Sequence, residues 1–447
     1  MNWPLDPAKD ETAVVTRWNQ GLVVDLYDEF DTVDFQIACH PREKEILEEG
    51  CDVRGYVEWQ CLDDAVPSPN PSPVPDLPAL ISAHVIAGPE PEESLIRDVI
   101  QSSAYATPLY AEPPAIAAWS CKACTHWSAF KGFKMRKLFN DTSRNVLFYM
   151  GTETLPNGTE QVVIAFRGSK EDDPNDKCYT HKCLFGLIGH NWSANLSAFP
   201  TNQSWNGVDV DVHSGFFDNQ QGAWRDTGAG PFLTELLGEL AEAQRAAGVA
   251  SPKLTIRVVG HSMGGAMATI LASRLKWDQT LPAGIDARAL TVKLHTFGSP
   301  YVGNEFFVRE ASKYIDEVIR VTHRLDPVSA AGFAKLDPPF DMPDSGHGFV
   351  HIGTEWYLPT QQNHLYGFGA GKAAHQVDIV VCSDEMDPKC HRKTCGQLVE
   401  CIAIGAFNAV LAPKDLKETY FRIYDHTTYF AFVDSIQNTE QMRLEVS

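Results

Sequence analysis

The chain has 447 residues and a formal net charge of -21, from 37 basic and 58 acidic side chains. This acidic balance argues against nucleic-acid binding and against electrostatic attraction to anionic membranes. A hydrophobic content of 44% is typical of a globular protein with a large core. The longest apolar run, at 401–413, is too short for a transmembrane segment, so none is predicted.

Composition divides the chain into three parts. Residues 1–65 hold 16 acidic and 5 basic side chains, a balance of -11, and are predicted to be an acidic N-terminal extension or propeptide-like region. Residues 66–88 begin with alternating prolines and are predicted to be an extended linker. The remainder, 89–447, is predicted to fold as one domain.

Predicted helices and strands alternate after residue 89. This order is typical of a largely parallel sheet with crossover helices, that is, of an α/β fold. The apolar patterns predict helices at 93–106, 232–247 and 266–276, strands at 145–151, 161–166, 254–259, 290–297 and 318–322, and a hairpin turn at 157–158.

A serine lies between the predicted strand 254–259 and the helix that follows it. Residues 260–264 read Gly-His-Ser-Met-Gly, which is the G-x-S-x-G pattern in the strand–turn–helix context that it requires. The turn would lift the Ser262 hydroxyl above the sheet, where a histidine can reach it. The pattern therefore predicts a nucleophile, and the alternative is a tight turn whose serine caps the helix.

A serine nucleophile needs a histidine base, and that histidine needs a carboxylate that fixes its tautomer. Asp326 follows the predicted strand 318–322, and Pro327 keeps this segment out of a helix. Loops at strand ends gather the active sites of open α/β folds, so Asp326 is the candidate acid. A solvated turn aspartate is the alternative interpretation.

Several motifs together resemble the fungal-type class 3 lipases of the α/β-hydrolase superfamily, over residues 90 to 431. The resemblance implies an α/β-hydrolase fold with helices on both faces of the sheet. The motifs are Ala165-Phe-Arg-Gly-Ser169, Asn191-Trp-Ser-Ala-Asn-Leu196, Val212-His-Ser-Gly-Phe216, Gly260-His-Ser-Met-Gly-Gly265, Thr296-Phe-Gly-Ser-Pro-Tyr-Val-Gly-Asn304, Asp326-Pro-Val328, His351-Ile-Gly-Thr-Glu-Trp-Tyr357 and Asp425-His-Thr-Thr-Tyr-Phe430.

The resemblance also implies roles for individual residues. Ser262 would be the nucleophile, Asp326 the acid and His426 the base, while Ser169 and the backbone N–H of Met263 would form the oxyanion hole. No metal or organic cofactor is required. His351 and His364 are the alternative bases, and His213 and His261 are predicted to be structural, with hydrogen bonds near the end of the sheet.

The segment 170–196 corresponds in the family to a mobile lid over the nucleophile. Its apolar residues suit an oil–water interface, and a Cys178–Cys183 disulfide would staple the loop that precedes them. A packed surface loop without gating is the alternative. The predicted lid and substrate-binding residues are Leu184, Phe185, Leu187, Ile188 and Trp192.

Cysteines and glycosylation sequons favour a secreted glycoprotein. The 11 cysteines lie partly in close pairs, as disulfide partners often do, and sequons occur at Asn140, Asn157, Asn191, Asn195 and Asn202. A zinc site is the less favoured alternative for the cysteines. It would use Cys121, Cys124, Cys390, His391 and Cys395, whose spacing fits no standard finger.

The predicted function is hydrolysis of lipid carboxylic esters, of the triacylglycerol lipase type, through an acyl-enzyme. The partner would be a lipid ester at an oil–water or membrane interface. Phospholipase A1, galactolipase and feruloyl-type esterase activities are alternatives. In another class, the chain would be an inactive lipase-like binding protein. The sequence leaves the oligomeric state open.

Overall fold

A computed structural model describes most of the chain between residues 81 and 360, and shorter stretches elsewhere. All structural statements below concern the described residues, which are 13–18, 21–26, 56–58, 81–125, 130–155, 157–169, 200–279, 281–324, 326, 328–329, 348–360, 375–382, 390, 426, 429–430 and 443–445.

The described strands and helices are numbered here in chain order. The strands are β1 (Ala13–Trp18), β2 (Gly21–Leu26), β3 (Tyr56–Glu58), β4 (Ile81–Ala87), β5 (Phe133–Asp141), β6 (Val146–Thr154), β7 (Glu160–Phe166), β8 (Pro200–Trp205), β9 (Val208–His213), β10 (Leu254–His261), β11 (Leu290–Phe297), β12 (Gly303–Asn304), β13 (Glu317–His323), β14 (Phe349–Val350), β15 (Thr354–Leu358), β16 (His375–Val381) and β17 (Arg443–Glu445). The α-helices are α1 (Glu93–Ala106), α2 (Pro113–Ala117), α3 (Lys122–Thr125), α4 (Ser214–Asp226), α5 (Ala229–Ala246), α6 (Met263–Arg274) and α7 (Glu305–Ala311), with 3₁₀ turns at Thr107–Tyr110 and Ala287–Ala289.

The chain forms two compact units. The smaller unit comprises Met1–Pro71 and Gln437–Ser447, and the larger comprises Ser72–Ile436. In the smaller unit, β1 and β2 pair as an antiparallel hairpin and β3 pairs antiparallel with β17. Most of the predicted acidic extension lies outside the described residues, so its role stays a prediction.

The larger unit is built on a nine-stranded sheet with the order β4-β16-β15-β13-β11-β10-β7-β6-β5. The five central strands β15, β13, β11, β10 and β7 run parallel to one another. β6 and β5 continue the sheet antiparallel on one side, and β16 joins β15 antiparallel on the other. The mostly parallel sheet of the predicted α/β-hydrolase fold is confirmed.

Helices cover both faces of this sheet. In β7, Val162, Ile164 and Phe166 pack into one apolar core with α4, α5 and α6, while Val163 and Ala165 face a second core that includes α1. Successive side chains of a strand point to opposite faces, so an uninterrupted apolar run fits a strand that is buried on both sides.

The predicted elements exist, but their bounds match the structure to different degrees. The helix 93–106 and the strand 290–297 have the predicted bounds, whereas the helix after Ser262 begins at Met263 and ends at Arg274 rather than spanning 266–276. The predicted linker is wrong for 81–87, because these residues form β4 and pair with β16 at the sheet edge.

A smaller sheet with the order β14-β12-β9-β8 was not predicted. Its β12 and β14 strands contain two residues each, too few to show a periodic pattern in the sequence. In the described part of the chain, no helix combines the length and apolar character needed to cross a bilayer.

Candidate active site

Ser262 occupies the turn between the central strand β10 and helix α6. Its backbone has φ 57° and ψ -132°, a conformation that a residue with a side chain seldom adopts, and its side chain does not cap the helix. A Cβ atom at Gly260 would lie 2.1 Å from the carbonyl oxygen of Gly264, so the turn is too tight for a side chain there. The strained turn therefore presents the serine hydroxyl, and the helix-capping alternative is wrong.

Ser262, His426 and Asp326 meet at the carboxyl ends of the parallel strands. The Nε2 atom of His426 lies 2.9 Å from Oγ of Ser262. On the other side of the ring, Nδ1 lies 2.9 Å and 3.0 Å from the two carboxylate oxygens of Asp326. This is the arrangement in which a carboxylate orients a histidine toward a serine hydroxyl. All three predicted residues are thus within hydrogen-bond distance of a partner.

Asp326 is fully buried and its carboxylate has two further donors. The backbone N–H of Val328 donates to Oδ1 at 2.8 Å, and the Tyr429 hydroxyl donates to Oδ2. Hydrogen bonds to a carboxylate favour its charged form and fix its orientation. The solvated-aspartate alternative is wrong, and Tyr429 is a contributor that the sequence analysis did not single out.

Gly298 leaves room for this group. Its φ is +56°, and a Cβ atom there would lie 2.6 Å from Oδ2 of Asp326 and 3.0 Å from Nδ1 of His426. Any side chain would enter the carboxylate–imidazole contact. The Gly298 position lies within the Thr296-Phe-Gly-Ser motif, so a search for glycines directly after strand ends could have found it.

Ser169 and Met263 lie beside the serine turn. Met263 is the first residue of α6, where helical N–H groups lack partners within the helix. The Ser169 hydroxyl lies 3.8 Å from the Met263 sulfur, so the two predicted oxyanion residues are neighbours. The N-terminus of a helix favours negative charge, which is the electrostatic requirement at a developing oxyanion.

His261 is the last residue of β10 and forms hydrogen bonds near the end of the sheet, as predicted. Its Nε2 atom is 2.8 Å from the carbonyl oxygen of His426, and its Nδ1 atom contacts the Tyr110 hydroxyl. Burial, and then the neighbouring His426, lower its pKa from 6.5 to about 3. His213 caps α4 by accepting a hydrogen bond from the N–H of Phe216 at 3.4 Å.

The alternative bases differ in outcome. His351 stacks on Tyr301, and its Nε2 atom lies 2.8 Å from the carbonyl oxygen of Ser329, whereas the imidazole on the Ser262 hydroxyl is that of His426. His364 lies outside the described residues, as do all the predicted lid residues and the Cys178–Cys183 pair.

The zinc alternative is wrong for three of its cysteines. Cys121 is bonded to Cys124 and Cys390 to Cys382, so none of the three is a free thiolate ligand. Within the described ranges, the one group of side chains close enough to share an ion contains Glu355 and the bonded pair Cys382–Cys390. His391 and Cys395 lie outside the described residues.

Comparison with known families supports the sequence motifs. Residues 147–335 match the family model described as lipase (class 3), and this segment includes the serine turn and Asp326. Residues 147–335 are therefore a class 3 lipase segment, and the resemblance to this family is confirmed.

Three known proteins illustrate the likeness. A secreted mono- and diacylglycerol lipase of Fusarium solani is 31% identical over 147 residues, which are 33% of this chain and 34% of the relative. A chloroplastic galactolipase of Arabidopsis thaliana is 23% identical over 214 residues, which are 45% of this chain and 41% of the relative. The triacylglyceride lipase structure from Rhizomucor miehei is 18% identical, with a TM-score of 0.46, and the match covers 77% of this chain and 97% of that one.

The matched segments thus span less than half the length of these two sequence relatives.

Proposed function

We propose that this protein hydrolyses carboxylic esters of lipids through a covalent acyl-enzyme. The observation that carries the proposal is the geometry of His426, whose ring lies 2.9 Å from the Ser262 hydroxyl and 2.9 Å from the Asp326 carboxylate. A neutral histidine held in this way accepts the serine proton as the hydroxyl oxygen attacks an ester carbonyl.

The first half of the reaction forms the acyl-enzyme. Ser262 Oγ bonds to the carbonyl carbon, its proton passes to Nε2 of His426, and the carbonyl oxygen becomes negatively charged. The backbone N–H of Met263 and a donor from Ser169 stabilise that oxyanion, with about 3 kcal/mol of barrier for each donor. The tetrahedral intermediate then collapses, and His426 gives its proton to the departing alcohol.

The second half regenerates the serine. Water enters, His426 takes one of its protons, and the resulting hydroxide attacks the acyl carbon. Asp326 stays ionised throughout and stabilises the imidazolium that forms twice in each cycle. The fatty acid leaves when Ser262 regains its proton. Every proton moves among groups of this chain, the substrate and water.

The substrate class follows from the family segment and from the sequence of 170–196. Apolar residues Leu184, Phe185 and Trp192 would contact an oil–water interface. Acylglycerols are the proposed substrates, in line with the mono- and diacylglycerol lipase that matches the chain. Galactolipids are the second candidate, because a galactolipase also matches.

A secretory location accompanies this function. Disulfides form and persist in oxidising compartments, and the described residues contain two, Cys121–Cys124 and Cys382–Cys390. Four matching relatives are also named as secreted. Glycosylation at one or more of the sequons belongs to the same proposal.

Hydrolysis of p-nitrophenyl esters tests the proposal. Short and long acyl chains are compared below and above the concentration at which the substrate forms an interface, with wild type and Ser262→Ala side by side. We expect long-chain turnover that rises at the interface and disappears in the variant. Monogalactosyldiacylglycerol and diacylglycerol micelles then separate the two substrate candidates.

Turnover of short, soluble esters alone would exclude a lipid substrate and indicate a feruloyl-type or other esterase. Absence of any wild-type turnover would contradict the enzyme and favour a lipase-like binding protein.

A further inference from the structure

His261 lies between the loop before the oxyanion residue and the backbone of the proposed base. The N–H of Gly168 donates to the Tyr110 hydroxyl oxygen at 3.2 Å, and that hydroxyl contacts Nδ1 of His261. On the far side of the ring, Nε2 lies 2.8 Å from the His426 carbonyl oxygen. Tyr110 and His261 are both buried.

The direction of these hydrogen bonds follows from the chemistry of the groups. A carbonyl oxygen only accepts, so Nε2 of His261 must carry the proton that faces His426. A neutral ring with a proton on Nε2 has a bare Nδ1, which only accepts. Tyr110 therefore donates to Nδ1, and its oxygen accepts from the N–H of Gly168. The three bonds form a directed chain from the Gly168 loop to the His426 backbone.

These hydrogen bonds connect the loop at Gly168 with the backbone of His426. The two regions belong to the proposed reaction centre but lie far apart in the sequence. Gly168 immediately precedes Ser169, and Tyr110 lies 151 residues before His261. His261 in turn lies 165 residues before His426. The His261 and His426 rings are 4.8 Å apart, so a shift of one ring displaces the other.

We propose that Tyr110 and His261 are positioning residues for ester hydrolysis, which hold the His426 imidazole and the Ser169 loop in their reactive arrangement. This inference rests on the proposed function. Neither residue touches the reacting atoms. A displacement of about 1 Å at a reacting group costs roughly 10²-fold in rate. Since the two residues orient catalytic groups, we expect their loss to lower kcat and to leave KM nearly unchanged.

The proton state of His261 is part of this role. Among the described residues, four titratable groups face His261. The rings of Tyr110, Tyr429 and His426 contact its ring, and the Asp326 carboxylate interacts with it electrostatically. Burial, and then His426, lower its pKa to about 3. His261 therefore stays neutral when His426 takes the serine proton, and two positive rings never face each other.

Three variants of the full chain test the inference. His261→Leu removes both hydrogen bonds of the imidazole. Tyr110→Phe removes the bond to Nδ1 of His261 and the acceptor for the N–H of Gly168. His261→Gln keeps an amide donor for the His426 carbonyl and an acceptor for Tyr110. His295→Gln, at another buried histidine on the neighbouring strand, is the control. We expect kcat to fall about 30- to 100-fold in His261→Leu and about 10-fold in Tyr110→Phe, with KM changed less than about threefold.

His261→Gln should recover to within about fivefold of wild type, as expected if the hydrogen bonds themselves matter. Equal kcat in wild type and His261→Leu, measured per folded molecule, would overturn the positioning role. So would equal losses in His261→Leu and His261→Gln. Loss of wild-type turnover would instead overturn the proposed function, and the role with it.

A second measurement does not depend on turnover. Long-range ¹H–¹⁵N spectra of the ¹⁵N-histidine-labelled chain, with His261→Gln to assign the signals, report the tautomer of His261. We expect a neutral ring with its proton on Nε2 from pH 7 down to pH 5. A proton on Nδ1, or a titration near pH 6, would overturn the hydrogen-bond chain.

Discussion

Among the residues that the structure describes, two groups combine a serine, a histidine and an acid, and they differ in backbone conformation, exposure and ring orientation. In one group His426 joins Ser262 to Asp326 at 2.9 Å on each side. In the other, His295 lies 2.7 Å from the Ser102 hydroxyl and 3.0 Å from the Glu317 carboxylate. Their residue types and contact distances are nearly the same.

The backbone separates the two groups first. Ser262 stands on a strained turn with φ 57°, whereas Ser102 lies inside helix α1, where its hydroxyl is also 2.8 Å from the carbonyl oxygen of Asp98. Ser102 and His295 have no solvent-exposed surface, whereas 4% of the surface of Ser262 and 8% of that of His426 are exposed. No incoming ester could approach Ser102 without displacing the helix.

The orientation of the ring separates them further. His426 presents Nε2 to its serine and Nδ1 to its acid, whereas His295 presents Nδ1 to Ser102 and Nε2 to Glu317. The acid of the second group is also paired with a cation, since Nζ of Lys293 lies 3.3 Å from Oε1 of Glu317. We interpret the second group as a polar attachment of α1 to the sheet. The comparison teaches that residue types alone do not define a nucleophile.

Alanine at each serine gives the largest contrast. Ser262→Ala should lower kcat about 10⁶-fold, because no other group supplies the nucleophile. Ser102→Ala should retain kcat within about twofold and lose about 1–2 kcal/mol of unfolding free energy with its buried hydrogen bond. Labelling by a fluorophosphonate probe and urea unfolding measure the two effects. Labelling that persists in Ser262→Ala and vanishes in Ser102→Ala would reverse the assignment.

The two acids give the next contrast. Asp326→Asn should lower kcat about 10⁴-fold, since an amide stabilises the wrong tautomer of His426. Glu317→Gln removes only a partner of His295 and Lys293, so turnover should change less than about twofold. Steady-state kinetics on one soluble ester checks both. Comparable losses in the two variants would show that the second group also serves the reaction.

Tyrosine hydroxyls sharpen the comparison at a smaller scale. Tyr429→Phe removes the donor to Asp326, and we expect kcat to fall about 10-fold as the carboxylate loses part of its fixed orientation. Tyr149→Phe is the control, because its hydroxyl donates to the carbonyl oxygen of Tyr105 at 2.7 Å, away from Asp326. An unchanged kcat in Tyr429→Phe would remove this tyrosine from the site.

Acid stability tests the second group. Burial lowers the pKa of His295 from 6.5, so below pH 6.5 the unfolded chain takes up a proton that the folded protein does not. Proton uptake by the unfolded chain at His295 therefore does not reduce stability above pH 6.5. Below it, the free energy of unfolding declines by up to about 1.4 kcal/mol per pH unit as pH falls. His295→Gln should show a shallower decline in urea unfolding at pH 7, 6 and 5. An unchanged slope would contradict a neutral His295.

Local patterns were sufficient for the centre of the fold. The strands before Ser262 and Asp326 are each recognisable as short apolar stretches. Because both residues follow a strand of a parallel sheet, their side chains are expected at the same edge of that sheet. His426 was predicted from its motif instead, because its contact with Asp326 spans 100 residues and no local sequence pattern indicates such a contact.

Other contributors could not be predicted because their contacts depend on the assembled sheet. Tyr429 reaches Asp326 across 103 residues, and Tyr110 reaches His261 across 151. The edge strand β4 likewise pairs with β16, whose partner residues lie about three hundred positions later in the chain. Prolines near β4 resemble a linker in sequence, and only the pairing reveals a strand.

The hundred-residue interval between Asp326 and His426 has a consequence for biosynthesis. During translation, Ser262 and Asp326 are synthesised before His426. Until residue 426 has been added, the Ser262 hydroxyl has no imidazole partner at this position. The proposed ester hydrolysis therefore requires a chain that has been synthesised at least as far as His426.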